Sequence, residues 1–289
     1  CSSPPIRCSR SGSGAWWCRV GELLDGAALY VRLVGARVRA QLQYRTSFAL
    51  DVLGMFLVSF LDFVAILIIF SNVPQLGGWS ASEVAFLYAT SSLSFALTDL
   101  AIGHLDLFPR LIRDGTFDLL LIRPRGTLFQ VVTADFQLRR LGKAAQGLAV
   151  LAYALGTLDI HWTPDRVAML VVMIPAGALI FASVWVAAIC IVFWTIEGGE
   201  AANAFTYGGQ YLTQFPITIY DRWLRRFLAY VVPMAFVAYF PALFILDKAD
   251  PLGLPPWVPF ASPLVAIAAA AVAGLVWRQA VRHYQSAGG

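Results

Sequence analysis

The feature that most constrains this chain is a succession of apolar runs too long and too poor in charge to fold in water. From Ser47 to Phe70 only Asp51 and Asp62 carry charge. Comparable runs cover Glu83–Gly103, Leu141–Leu158, Val167–Trp194, Phe227–Leu246 and Phe260–Trp277. A helix of about 20 apolar residues crosses the hydrocarbon core of a bilayer. Charged residues make up 13% of the chain, where soluble domains average about 25%. The expected fold is all-α: a polytopic membrane protein of about six transmembrane helices. With 289 residues, six spans and short connections leave no room for a catalytic domain of ordinary size. The expected division is a disordered tail over 1–21, an amphipathic interfacial helix over 22–46 and a six-span domain over 47–289. The tail is rich in Ser, Gly, Arg and Cys and lacks the apolar core of a signal peptide. In the next segment Leu24, Ala28, Val31, Val34, Val38 and Leu42 recur at helical spacing among arginines, a pattern suited to the membrane surface.

Basic residues orient such a chain, because they accumulate on the cytoplasmic side. With the amino terminus inside, Arg32, Arg37, Arg39 and Arg45 fall inside, as do Arg110, Arg113, Arg123, Arg125, Arg139 and Arg140. So do Arg222, Arg225 and Arg226, and Arg278 and Arg282. Lys143 is expected to snorkel to the same side. Only Arg166 and Lys248 fall outside. A seventh span through Ala202–Tyr220 would put the basic tail outside, so it is rejected. Both termini are expected to be cytoplasmic. The net charge of +4 is assigned to membrane lipid headgroups, and no nucleic acid partner is expected.

The chain has no G-x-x-x-x-G-K-[ST], no H-E-x-x-H and no G-x-S-x-G, so nucleotide, zinc-protease and serine-hydrolase chemistry lack their usual carriers. His104, His161 and His283 are far apart, and no catalytic or metal-binding residue is nominated. Cys190 sits in an apolar run and reads as a packing residue. Asp62 stands out, because a carboxylate near mid-bilayer costs about 2.5–3.5 kcal/mol. Asp51, eleven residues earlier, lies on nearly the same helical face. The pair reads either as a polar stripe along a substrate path or, for Asp62, as a structural hydrogen bond. Asp99 is expected to pair with an arginine. Between Asp106 and Arg125, Leu107, Phe108, Leu111 and Ile112 form an apolar stripe between charges, and Gly115 ends the short helix. This compact element reads equally as an interfacial anchor or as a docking element. Glu197–Arg226 reads as a second interfacial segment on the same side.

Four stretches then carry a resemblance. They are Gln43-Tyr44-Arg45 before the first span, Gly115-Thr116-Phe117-Asp118-Leu119-Leu120-Leu121-Ile122-Arg123-Pro124 after the second, Phe215-Pro216-Ile217-Thr218-Ile219-Tyr220, and the run Val232–Ala242. In order and spacing the chain resembles a permease subunit of the type-2 ATP-binding-cassette transporters, in their six-span bacterial group. The resemblance covers about Leu29–Tyr284; the stretch before Leu29 has no counterpart. It implies a cytoplasmic coupling helix within Asp106–Arg125, carried by Asp106, Phe108, Arg110, Arg113, Asp114, Phe117, Asp118 and Arg123. It also implies a separate cytoplasmic ATPase subunit holding ATP and Mg, with no cofactor on this chain. A second permease, identical or related, would complete the path in the bacterial cytoplasmic membrane. Family members mostly export, and the apolar spans suit a hydrophobic or amphipathic cargo. The alternatives are a membrane-embedded enzyme, which needs Asp, His or Ser converging at one depth, and a non-transporting scaffold subunit.

Overall fold

The computed structural model describes Gly35, Ala36, Val38, Arg39, Gln41, Gln43 and residues 45–134, 137–195, 198–250 and 252–284. The expected tail and most of the expected interfacial helix lie outside the described residues. Among these the regular structure is all helical, joined by turns and loops, with an isolated bridge between Leu76 and Trp79. Helix α1 (Arg45–Asn72) is followed by α2 (Ala81–Ile102), and two short helices, α3 (Phe108–Arg113) and α4 (Asp118–Leu121), come next. Then come α5 (Thr127–Thr133), α6 (Leu141–Thr157), α7 (Pro164–Ile189) and α8 (Gly198–Thr213). Helices α9 (Arg222–Arg226), α10 (Tyr239–Ile245) and α11 (Ser262–Arg282) complete the set.

Helix α2 is the axis. Ser80 and Glu83 start it with a capping box: the Ser80 amide donates to Glu83 Oε2 at 2.7 Å, and the Glu83 amide donates to Ser80 Oγ. Every residue from Val84 to Ala96 is buried, because α1, α6, α7 and α8 surround it. Small residues permit the close approaches, as membrane helices require. A Cβ on Gly142 of α6 would collide with the Val52 carbonyl and Phe56 amide of α1. One on Gly147 would lie 3.3 Å from the Leu93 backbone. The outer helices turn apolar side chains outward: Leu50, Leu53, Leu57 and Leu61 of α1 and Leu264, Ile267, Val272 and Leu275 of α11 are exposed. Such faces suit lipid or another protein, not water.

By length and hydropathy four helical stretches can cross a membrane: Arg45–Asn72, Ala81–Arg113, Pro164–Phe193 and Val258–Arg282. A fifth counts if Arg222–Val231 and Met234–Ile245, bent by 75°, are one span. The contacts make this pair a hairpin, not the single proline-kinked span expected over 227–246. Helix α8 runs antiparallel to α2. Its start abuts Pro109, Tyr207 stacks edge-on to Phe95, Thr213 Oγ1 lies 2.6 Å from Ser91 Oγ, and Thr218 just beyond reaches the Gly77 carbonyl. The stretch rejected as a seventh span therefore passes from one end of α2 to the other. The bent pair starts beside Gly77 and ends with Lys248, whose Nζ is 2.8 Å from the Gly78 carbonyl and 3.0 Å from Glu83. It enters and leaves at the same end.

The physical causes are local. Proline lacks a donor and drives its predecessor out of helical geometry; Val232, before Pro233, sits at φ −111°, ψ 101°. Arg222, Arg225 and Arg226 thus lie with Gly77 and Lys248, away from Arg110 and Arg113, which corrects their expected placement. Arg225 donates to the carbonyls of Ile217, Thr218 and Tyr220, so its charge is tied to the turn.

Two outcomes follow. In a background without the natural cysteines, Trp223→Cys and Trp257→Cys should react with a membrane-impermeant thiol reagent from one side, and Ile122→Cys from the other. Labelling of Trp223→Cys from the same side as Ile122→Cys would restore the single span over 227–246. Gly142→Ala should destabilise the purified protein by about 1–3 kcal/mol through overpacking. Gly156→Ala, which meets open space, should leave the unfolding temperature unchanged.

Candidate functional site

The element after α2 is built on two phenylalanines. The chain leaves α2 in a tight turn over Gly103–Leu107, and Pro109 opens α3, where a missing amide does no harm. Gly115 takes φ +66°, a conformation that favours glycine, and folds the chain back so that the Phe117 amide donates to Leu111 O at 3.1 Å. Phe108 and Phe117 are fully buried, with ring centroids 5.4 Å apart and edge-to-face. Phe193 after α7, Trp277 of α11 and Tyr284 close the cluster.

The residues nominated for coupling therefore divide. Phe108 and Phe117 face inward and position the element. Arg110, Arg113, Asp114 and Arg123 are exposed, Asp118 is half-buried, and Ile122 is 81% exposed. Asp106 is half-buried and accepts a hydrogen bond from Tyr207 of α8 at 2.8 Å.

Beside Asp106 lies a buried ion cluster. Asp99, at the end of α2, pairs with Arg140 at 2.6 Å and with Lys143 at 3.2 Å. Arg140 also donates to the carbonyls of Asp99 and Gly103. A Cβ on Gly103 would overlap the guanidinium, so the turn needs glycine there. Asp99 thus has the arginine partner expected of it. Lys143 departs from expectation: it does not snorkel outward but sits over the rings of Phe95 and Tyr207 at 5.5 and 5.9 Å.

Above this cluster a cavity of about 310 Å³ opens between four helices. Helix α1 contributes Ser59 and Asp62, α2 Tyr88 and Ser92, α6 Lys143 and Gln146, and α8 Tyr207, Gln210 and Tyr211. Tyr88 donates to the Ser59 carbonyl at 3.0 Å and accepts from Gln146 at 3.2 Å. Asp62 is exposed to this cavity. Asp51 lines a different one, with Gln41, Gln137 and Arg139, so the two carboxylates do not share a chamber. A larger cleft, about 500 Å³, lies between α7, α8, the bent pair and α11, but its Ala, Val and Ile walls offer no charged group to orient a ligand. Among the described residues no group of three or more His, Cys, Asp or Glu side chains could hold a metal.

Sequence reading missed Tyr207, Gln146 and Tyr88. None belongs to a motif, and only their spacing against Lys143 and Asp62 in the packed bundle gives them meaning. Removing one member of a buried charge cluster leaves the others uncompensated, at about 3–5 kcal/mol. Asp99→Ala should therefore lower the thermal stability of the purified chain by that order. Asp51→Ala, which breaks no ion pair among the described residues, should leave it within experimental error.

Among curated proteins and among solved structures, no match to the chain was found. The family described as ABC-2 family transporter protein matches residues 56–288, which include the whole element, the ion cluster and all of the cavity except Met55. By that match, over most of its length, this chain belongs to the ABC-2 transporter family and is a membrane permease subunit of an ABC transporter.

Proposed function

We propose that the chain is the driven half of a pump whose ATP and Mg are held by a separate cytoplasmic ATPase. In this reading α1, α2, α6, α7, α8 and α11 are six spans, the bent pair is re-entrant, and both termini face the cytoplasm of a bacterial cell. The exposed side of α3 and α4, with Arg110, Arg113, Asp114 and Arg123, receives the ATPase. A second permease, identical or related, meets the open side of the Asp62 cavity, and lipid covers the remaining apolar faces. The cargo is hydrophobic or amphipathic and is exported.

The observation that carries this reading is the double role of Tyr207. It lines the cavity and holds Asp106 in the turn that leads into α3. Lys143 likewise lines the cavity and binds Asp99 at the end of α2. A displacement of the element therefore reaches the cavity through two short polar links. Aromatic clustering around Phe108 and Phe117 makes the element move as a body and not fold locally. An interior packed to crystal-like density transmits such shifts.

The test is a reconstituted complex with a co-expressed ABC ATPase. Arg113→Glu reverses an exposed charge and should leave the unfolding temperature unchanged while lowering transport about tenfold, the effect of losing about 1.4 kcal/mol of coupling. Tyr207→Phe should keep the ATPase bound but cut substrate-stimulated hydrolysis. Phe117→Ala should instead destabilise the fold by about 3–5 kcal/mol. Unchanged transport and hydrolysis in both Arg113→Glu and Tyr207→Phe would overturn the reading.

A further inference from the structure

We propose that the cavity at Asp62 takes the cationic head of an amphiphile, an ammonium or quaternary ammonium group, with the tail along α1. This rests on the permease reading and adds to it the charge of the cargo.

The first ground is charge balance. Asp62, Asp99 and Asp106 bring three carboxylates to this part of the bundle, against Arg140 and Lys143. Arg140 is held by Asp99 and by two carbonyls. Lys143 is held by Asp99 and by two rings. Lys143 shares the cavity wall with Asp62 but is paired with Asp99, and Asp62 itself has no ion pair or hydrogen bond among the described residues. A carboxylate at that depth is unfavourable until a cation or proton meets it.

The second ground is the wall. Tyr88 and Tyr211 line the same chamber as Asp62, with Gln146 and Gln210. Aromatic rings with one carboxylate are the surroundings that quaternary ammonium groups prefer. The one cation in that wall, Lys143, is already paired with Asp99. The third ground is size and exit. About 310 Å³ is at the small end of ligand pockets, room for a head group and not for a whole amphiphile. The chamber opens beside Leu57, Val58 and Leu61, all exposed on α1, which suit an alkyl tail.

The test uses the full chain in uncharged maltoside micelles, without the ATPase. The probes are a fluorescent alkyltrimethylammonium and its neutral 3,3-dimethylbutyl isostere. The cation should bind at least about tenfold more tightly, a difference of about 1.4 kcal/mol. Asp62→Asn should abolish that preference while leaving binding of the neutral probe unchanged and without lowering the unfolding temperature. Asp62→Glu should largely retain it, and Asp51→Asn, in the other cavity, should retain it fully. Equal binding of the two probes by the native chain would overturn the proposal. So would a preference that survives Asp62→Asn, or tighter binding of an alkylsulfate probe. Failure here leaves the ATPase complex untouched, whereas failure of the permease reading appears as absent ATPase association or coupling.

Discussion

The structure depends on a small set of charges gathered around the buried carboxylate of Asp99. Asp99 closes α2, and the two cations that meet it both come from the start of α6. The interior dielectric strengthens these contacts and makes each partner costly to lose. Their geometry dictates much else. Arg140 must lie flat against the turn after α2, so residue 103 must lack a Cβ. The turn then delivers Asp106 to Tyr207 and Phe108 to its aromatic cluster. An apolar bundle could slide or rotate with little penalty; this one is indexed by a few polar bonds.

The same polar bonds explain why membrane depth does not exclude them. Arg140 and Lys143 do not face hydrocarbon, and their donors are directed at carboxylate, carbonyl and ring acceptors. Tyr88, Gln146 and Ser59 do likewise within the cavity wall. Polar groups in a bilayer survive by facing one another. What distinguishes Asp62 is that it faces a chamber and not a partner.

Much of the fold was legible because hydrophobic runs and helix punctuation are local signals. The runs over α1, α2, α7 and α11 announce themselves by length. The element between Asp106 and Arg125 was readable from Phe108, Leu111 and Ile112 on one face and from Gly115 at its end. The region from Ala202 to Leu246 was misjudged for a specific reason. Its arginines read as topological charges, yet Arg225 is bound to three carbonyls of the preceding turn. Helix α8, at 16 residues, is short and rich in Gly, Thr and Tyr, so its apolar signal is weak. Pro233 was read as a tolerable kink, and the 75° bend it sits beside is a change of direction. The cavity was only half visible. Asp62 could be flagged alone, but its neighbours come from α2, α6 and α8, far apart in sequence.

Glu83 has one carboxylate and two duties. It caps α2 through the Ser80 amide and grips Lys248, which lies over Trp79 at 4.8 Å. The stitch ties the hairpin's exit to the head of the central helix. Any rearrangement that lifted the hairpin would also unseat a helix cap, so the two penalties arrive together. That end of the bundle is consequently a fixed lintel. Helix α1 is its opposite: of the four long apolar stretches it is the least enclosed by its own chain.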